Sequence, residues 1–104
     1  MFYWDLIKKW CSELIESQFH RKGILPGRWE DNSGVYSLAD AGRICLWVGQ
    51  SKADLYGRIT RHPIPYSVQA IDGLAPQYLY DLEWFVAYKL KPKFGWHRGR
   101  PDGF

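Results

Sequence analysis

Residues 35–48 read VYSLADAGRICLWV, and this stretch decides the fold. Val35-Tyr36-Ser37-Leu38-Ala39 and Ile44-Cys45-Leu46-Trp47-Val48 are two short β-prone runs, and Asp40-Ala41-Gly42 between them carries turn chemistry. The pair predicts an antiparallel hairpin. With Asp40 facing Arg43 across the turn, Tyr36 faces Trp47 on one side of the sheet.

Downstream, Ser51-Lys52-Ala53-Asp54 has the capping-box pattern and predicts a helix from about Lys52 to His62, which Pro63 stops. A third extended run, Tyr66 to Ile71, precedes an Asp72-Gly73 turn. After Pro76, Leu79, Leu82, Val86 and Leu90 recur at helical spacing until Pro92. Upstream, Tyr3, Ile7, Trp10 and Leu14 give Tyr3 to His20 the period of a helix, and Pro26 to Gly34 reads as a turn-rich connection. The order is helix, strand, strand, helix, strand, helix. Antiparallel strands packed on helices place the chain in the α+β class.

The 104 residues suffice for one core and one module. With 46% apolar residues and a net charge of +3, the chain is not of the disordered class. No apolar run approaches the roughly 20 residues of a membrane span, and the N-terminus lacks a secretory h-region, which suggests a soluble, cytoplasmic protein. Cys11 and Cys45 have no CxxC spacing and read as buried thiols rather than zinc ligands. Lys89, Lys91, Lys93, Arg98 and Arg100 follow one another without an intervening acid, interleaved with Phe94 and Trp96. Such a run can neutralise phosphates and stack on bases, or serve as a solvated tail.

Polar residues interrupt the apolar faces. At about 100° per residue with Leu79 at zero, Glu83 lies near 40°, inside the stripe of the last helix. A buried carboxylate calls for a metal, an Arg or a proton. In the capped helix Arg58 and His62 flank Leu55 and Ile59 on the face that docks on the sheet. Arg58 could pair with Glu83, and His62 could be a core histidine or a cation at the helix C-terminus.

Taken in order, these residues resemble the GIY-YIG nuclease family. Gly34-Val35-Tyr36 is similar to its first signature tripeptide and Trp47-Val48-Gly49 to its second, and Gly49 to Leu55 resembles the turn into its first core helix. Arg58 falls at the family's catalytic Arg, His62 at a His found one turn later, and Glu83 at its metal-binding Glu. Lys91-Pro92-Lys93-Phe94 is similar to the segment that closes the core. The resemblance runs from Gly34 to Phe94 and divides the chain into an N-terminal helix and linker (1–33), a nuclease-like core (34–94) and a basic aromatic tail (95–104).

What the resemblance implies is a three-stranded antiparallel sheet flanked by helices, here with an extra N-terminal helix, and hydrolysis of DNA phosphodiester bonds with Mg²⁺ or Mn²⁺. Glu83 would hold the metal, Arg58 would stabilise the transition state, and Tyr36 would orient or deprotonate the attacking water. His62 would polarise Tyr36, contact phosphate or shuttle a proton. Because a free phenol titrates near 10, positive charge from the metal or from Lys52 would have to lower Tyr36. Two positions depart from the pattern. Trp47 stands where a Tyr is usual and can donate a hydrogen bond but not accept a proton. Gly95 and Trp96 occupy the place of the family's Asn. Trp47 is either a compensated substitution packed on Tyr36 or a mark of a decayed site, so the alternative is an inactive module binding nucleic acid or a protein. Duplex or branched DNA is the implied partner, cut with low sequence preference unless a homodimer or second protein supplies specificity. The N-terminal helix, bearing Phe2, Tyr3, Trp4 and Trp10, reads as a cover for the core or as a protein interface.

Overall fold

The computed structural model describes residues 2–21, 23–63 and 67–94. In chain order they form α1 (Tyr3–Glu16), a short strand β1 (His20–Arg21), a 3-10 turn (Gly27–Trp29), β2 (Gly34–Ala39), β3 (Cys45–Ser51), α2 (Leu55–Thr60), β4 (Ser67–Asp72), a second 3-10 turn (Pro76–Tyr78) and α3 (Leu79–Leu90). The class is α+β, with an antiparallel sheet in the order β1-β4-β2-β3. The sheet has four strands among the described residues, not the three expected. The added strand is two residues long, His20 and Arg21 pairing with Val68 and Ser67, too short to leave an alternating pattern in the sequence. No helix among the described residues is long and apolar enough to cross a membrane.

All six residues of β2 are buried, because this central strand is covered on both faces. Its alternation divides the core in two. Val35 joins Ile7, Cys11, Leu14, Val48, Leu79, Leu82 and Val86 beneath α1 and α3. Tyr36 and Leu38 join Leu55, Ile59, Val68 and Trp29 beneath α2 and the first 3-10 turn. Complete burial of side chains such as Ile7 and Leu14 is worth roughly 1.5–3 kcal/mol each. The N-terminal helix therefore covers the core. It ends at Glu16, four residues earlier than its spacing predicts, where Ser17 turns extended and its hydroxyl donates to the Leu14 carbonyl (2.6 Å). The buried Gln69 amide ties this end to β4 by donating to the carbonyls of Ile15 (2.7 Å) and Ser17 (2.8 Å).

The hairpin forms, but its register differs from the expected one. Tyr36 pairs with Gly49, and Trp47 with Leu38. A wider turn is the cause: the Asp40 carboxylate accepts from the backbone N–H groups of Gly42 (2.9 Å) and Ile44 (3.0 Å), Arg43 has φ 61°, and the ladder shifts between Leu38 and Ala39. The slip is two residues, so Tyr36 and Trp47 stay on the same face as diagonal neighbours. The following helix is also shorter than expected. Strand β3 runs through Ser51, whose hydroxyl accepts from Asp54 N–H (3.0 Å), and Asp54 becomes the N-cap by accepting from Gly57 N–H (3.1 Å). His62 lies beyond the end of α2. Lys91, with φ 49°, ends α3 before Pro92, and the N–H groups of Lys93 and Phe94 donate to Cys45 (3.2 Å) and Leu46 (3.0 Å) along the outer edge of β3.

Candidate active site

Tyr36 is 1% exposed, and its ring runs across Gly49 on the neighbouring strand, where a Cβ would collide with Oη, Cζ and Cε1. Glycine is the residue that leaves this space. Gly34 has a similar reason, since a Cβ there would meet the Ile71 carbonyl and the Leu55 side chain where β2 enters between β4 and α2. Both glycines of the two tripeptides thus permit close approach rather than an unusual backbone angle.

The Arg58 guanidinium from α2 and the Trp47 indole from β3 both lie close enough to the Tyr36 phenol to act on its proton. Burial raises the phenol above its ordinary value of 10.0, against the lowering pull of the Arg58 hydrogen bond and charge and of Trp47, while the Glu83 charge raises it further. The cation beside the ring is Arg58, whereas Lys52 is exposed in the turn after β3. Arg58 is itself exposed, so its fork of N–H donors faces solvent beside Tyr36.

His62 is half-buried and meets Trp47 edge-on, with ring centroids 5.1 Å apart. Glu83 is 2% exposed on α3, and its charge acts on the phenol. Tyr36, Trp47, Arg58, His62 and Glu83 are therefore linked through one phenol and one indole. Trp29 was not anticipated. It lies in the turn-rich connection, is 1% exposed, packs in the Tyr36 cluster and meets His20 edge-on at 5.2 Å. The signal was a large aromatic among turn residues, a place where exposed aromatics are uncommon.

The basic residues are dispersed. Lys89 lies over the Phe85 ring (5.6 Å) and lines a 460 Å³ groove between α1 and α3 with Lys8, away from Tyr36. Lys91 and Lys93 are exposed beside the outer edge of β3. Arg98 and Arg100, with the rest of the tail, lie outside the described residues. No group of three or more His, Cys, Asp or Glu able to hold a metal occurs among the described residues.

Compared with known proteins, the chain matches no family model, no curated protein and no solved structure.

Proposed function

We propose that this chain is a metal-dependent DNA endonuclease with a GIY-YIG-like core. The observation that carries the reading is the buried Tyr36 phenol lying within the fields of both the exposed Arg58 guanidinium and the buried Glu83 carboxylate. A phenol, a guanidinium and a carboxylate so arranged match the needs of phosphodiester hydrolysis: an oriented hydroxyl, a fork for developing oxyanion charge, and one hard ligand.

The donor set fits Mg²⁺ or Mn²⁺ held by Glu83. A hard cation of this type keeps several waters and needs only one or two protein carboxylates, so a three-residue protein cage is not required. When bound, the ion supplies Lewis-acid charge at a phosphoryl oxygen. Arg58 binds the phosphate through its exposed N–H groups and meets charge that grows toward the transition state. Tyr36 orients a reacting oxygen, and His62, set against Trp47, is the group with the chemistry to take or return a proton near neutral pH.

Supercoiled plasmid with Mg²⁺ or Mn²⁺ tests the reading. Wild-type protein is expected to nick it, and Glu83→Gln and Arg58→Ala each to lose roughly 10²–10³-fold in rate. Absence of nicking by wild type, or nicking by both variants at the wild-type rate, would falsify the assignment. DNA binding without cleavage would leave the inactive module in its place.

A further inference from the structure

We propose that the groove between α1 and α3 binds a medium-chain acyl carboxylate, its head held by Lys8 and Lys89 and its chain lying on Phe85, Cys11 and Ile15. The groove belongs to the side of the sheet that α1 and α3 cover, whereas Tyr36 faces α2, so the site is separate from the nuclease reading and does not rest on it.

The two helices run in the same direction. The Tyr3 hydroxyl donates to the Asp81 carboxylate near the start of both, and eight residues further along each, Cys11 and Lys89 line the same groove. On that offset Phe85 is level with Lys8 to within one residue, while Ile15 and Glu16 reach beyond the end of α3 at Leu90. From Lys8 to Glu16 is about 12 Å of helix, at roughly 1.5 Å per residue. The groove holds 460 Å³, inside the range of about 300–1,000 Å³ found for small-molecule sites. Its floor is the buried Cys11 and Phe85, and Ile15, partly exposed, continues the apolar surface along α1.

Charge is unevenly placed along this floor. Lys89 folds back one turn, its ammonium 5.6 Å from the Phe85 ring centroid, which brings it toward the Lys8 end. Among the described residues neither Lys8 nor Lys89 is in a salt bridge, so both ammoniums are open to an anion. Ser12, one turn on from Lys8, adds a hydroxyl donor on the same face of α1. Burial keeps the Cys11 thiol protonated at neutral pH, so the floor itself does not oppose a negative head. Glu16, at the far end, does oppose it. A ligand with one anionic end and an uncharged apolar body therefore enters in a single orientation, head toward Lys8 and Lys89 and tail along Ile15. A cationic amphiphile would set its head against two ammoniums, and a polar body would leave the apolar floor in water.

Decanoate, titrated into the full chain below its micellar concentration and followed by methyl NMR, tests the proposal. The Ile15 methyl resonances are expected to shift saturably, while those of Ile24 and Ile44, exposed outside the groove, stay in place. Octanoate should bind roughly three- to tenfold more weakly, since two fewer methylenes leave water. Lys8→Glu/Lys89→Glu, altered at exposed positions, is expected to weaken decanoate at least about tenfold, and decylammonium to bind wild type more weakly than decanoate by a similar factor. If circular dichroism shows that the double variant has lost its fold, Lys8→Gln/Lys89→Gln makes the same comparison. Equal movement of all three isoleucines, undiminished binding in the charge variants, or decylammonium binding as well as decanoate each overturns the proposal. Absence of a saturable response to free decanoate overturns it too, and attachment to phosphatidylglycerol vesicles in that case would assign the two cations to a lipid surface.

Discussion

Gly49 lies against the Tyr36 phenol so closely that a single methyl group there would overlap three ring and hydroxyl atoms. Neither side can give way cheaply. Tyr36 is 1% exposed, and Gly49 is in mid-ladder, paired with Tyr36 itself. Gly49→Ala is therefore expected to destabilise the fold by about 1–3 kcal/mol, as overpacking does, and to displace the Tyr36 oxygen from Arg58 and Trp47. Urea unfolding gives the first quantity. Plasmid nicking gives the second, with a loss of at least the size produced by Tyr36→Phe.

Arg58 separates function from stability. It is exposed on a six-residue helix, so Arg58→Lys should change unfolding free energy by no more than about 0.5 kcal/mol. Activity should nevertheless fall, on the order of 10–100-fold, because an ammonium cannot hold Tyr36 and a phosphate through one rigid fork. Parallel denaturation and nicking measurements check the split. A variant that keeps full activity would remove Arg58 from the site.

Much of this arrangement is legible in the residues. Leu79, Leu82 and Val86 announce α3, Pro92 marks its end, and Glu83 is buried as its place on the stripe demands. The shared face of Tyr36 and Trp47 also follows from alternation, because a two-residue slip keeps every side chain on its own side. The slip itself came from a carboxylate that caps two backbone N–H groups, a detail of Asp40 with no signature in hydrophobic period. The cap moved from Ser51 to Asp54 for a related reason: Ser51 was already engaged by the sheet, and pattern alone does not rank competing partners. β1 and Trp29 escaped notice because both depend on what β4 and α2 bring to them from distant sequence.

Gln69 supplies a test of how α1 is attached. Its amide donates to Ile15 and Ser17, the carbonyls at the end of α1, and is 5% exposed. Gln69→Leu keeps the volume but strands both carbonyls in a buried place. The expected loss is about 1–3 kcal/mol, with hydrogen exchange at the C-terminal turn of α1 accelerating more than in β2. Uniform acceleration throughout the protein would show that the amide serves global rather than local stability.

The two thiols make stability depend on alkaline pH. Burial pushes Cys11 from an ordinary 9.0 up to about 11, against a smaller lowering effect of Lys89. Burial likewise pushes Cys45 up to about 11, against the hydrogen bond to Trp47. The unfolded chain thus releases these protons first. Their contribution is fully present below pH 9 and is lost as pH rises through 11, which at 1.36 kcal/mol per unit amounts to about 2–3 kcal/mol for Cys11. Cys45 contributes less, because it is half-buried rather than buried as its sequence suggests and is screened by solvent. Urea unfolding followed from pH 7 to pH 10.5 should show this decline beginning before tyrosine ionisation. In Cys11→Ala/Cys45→Ala the baseline stability is lower, since Cys11 is 2% exposed and its removal leaves a void, but the decline between pH 9 and 10 should flatten. A decline of unchanged slope in that variant would assign the alkaline sensitivity to groups other than the thiols.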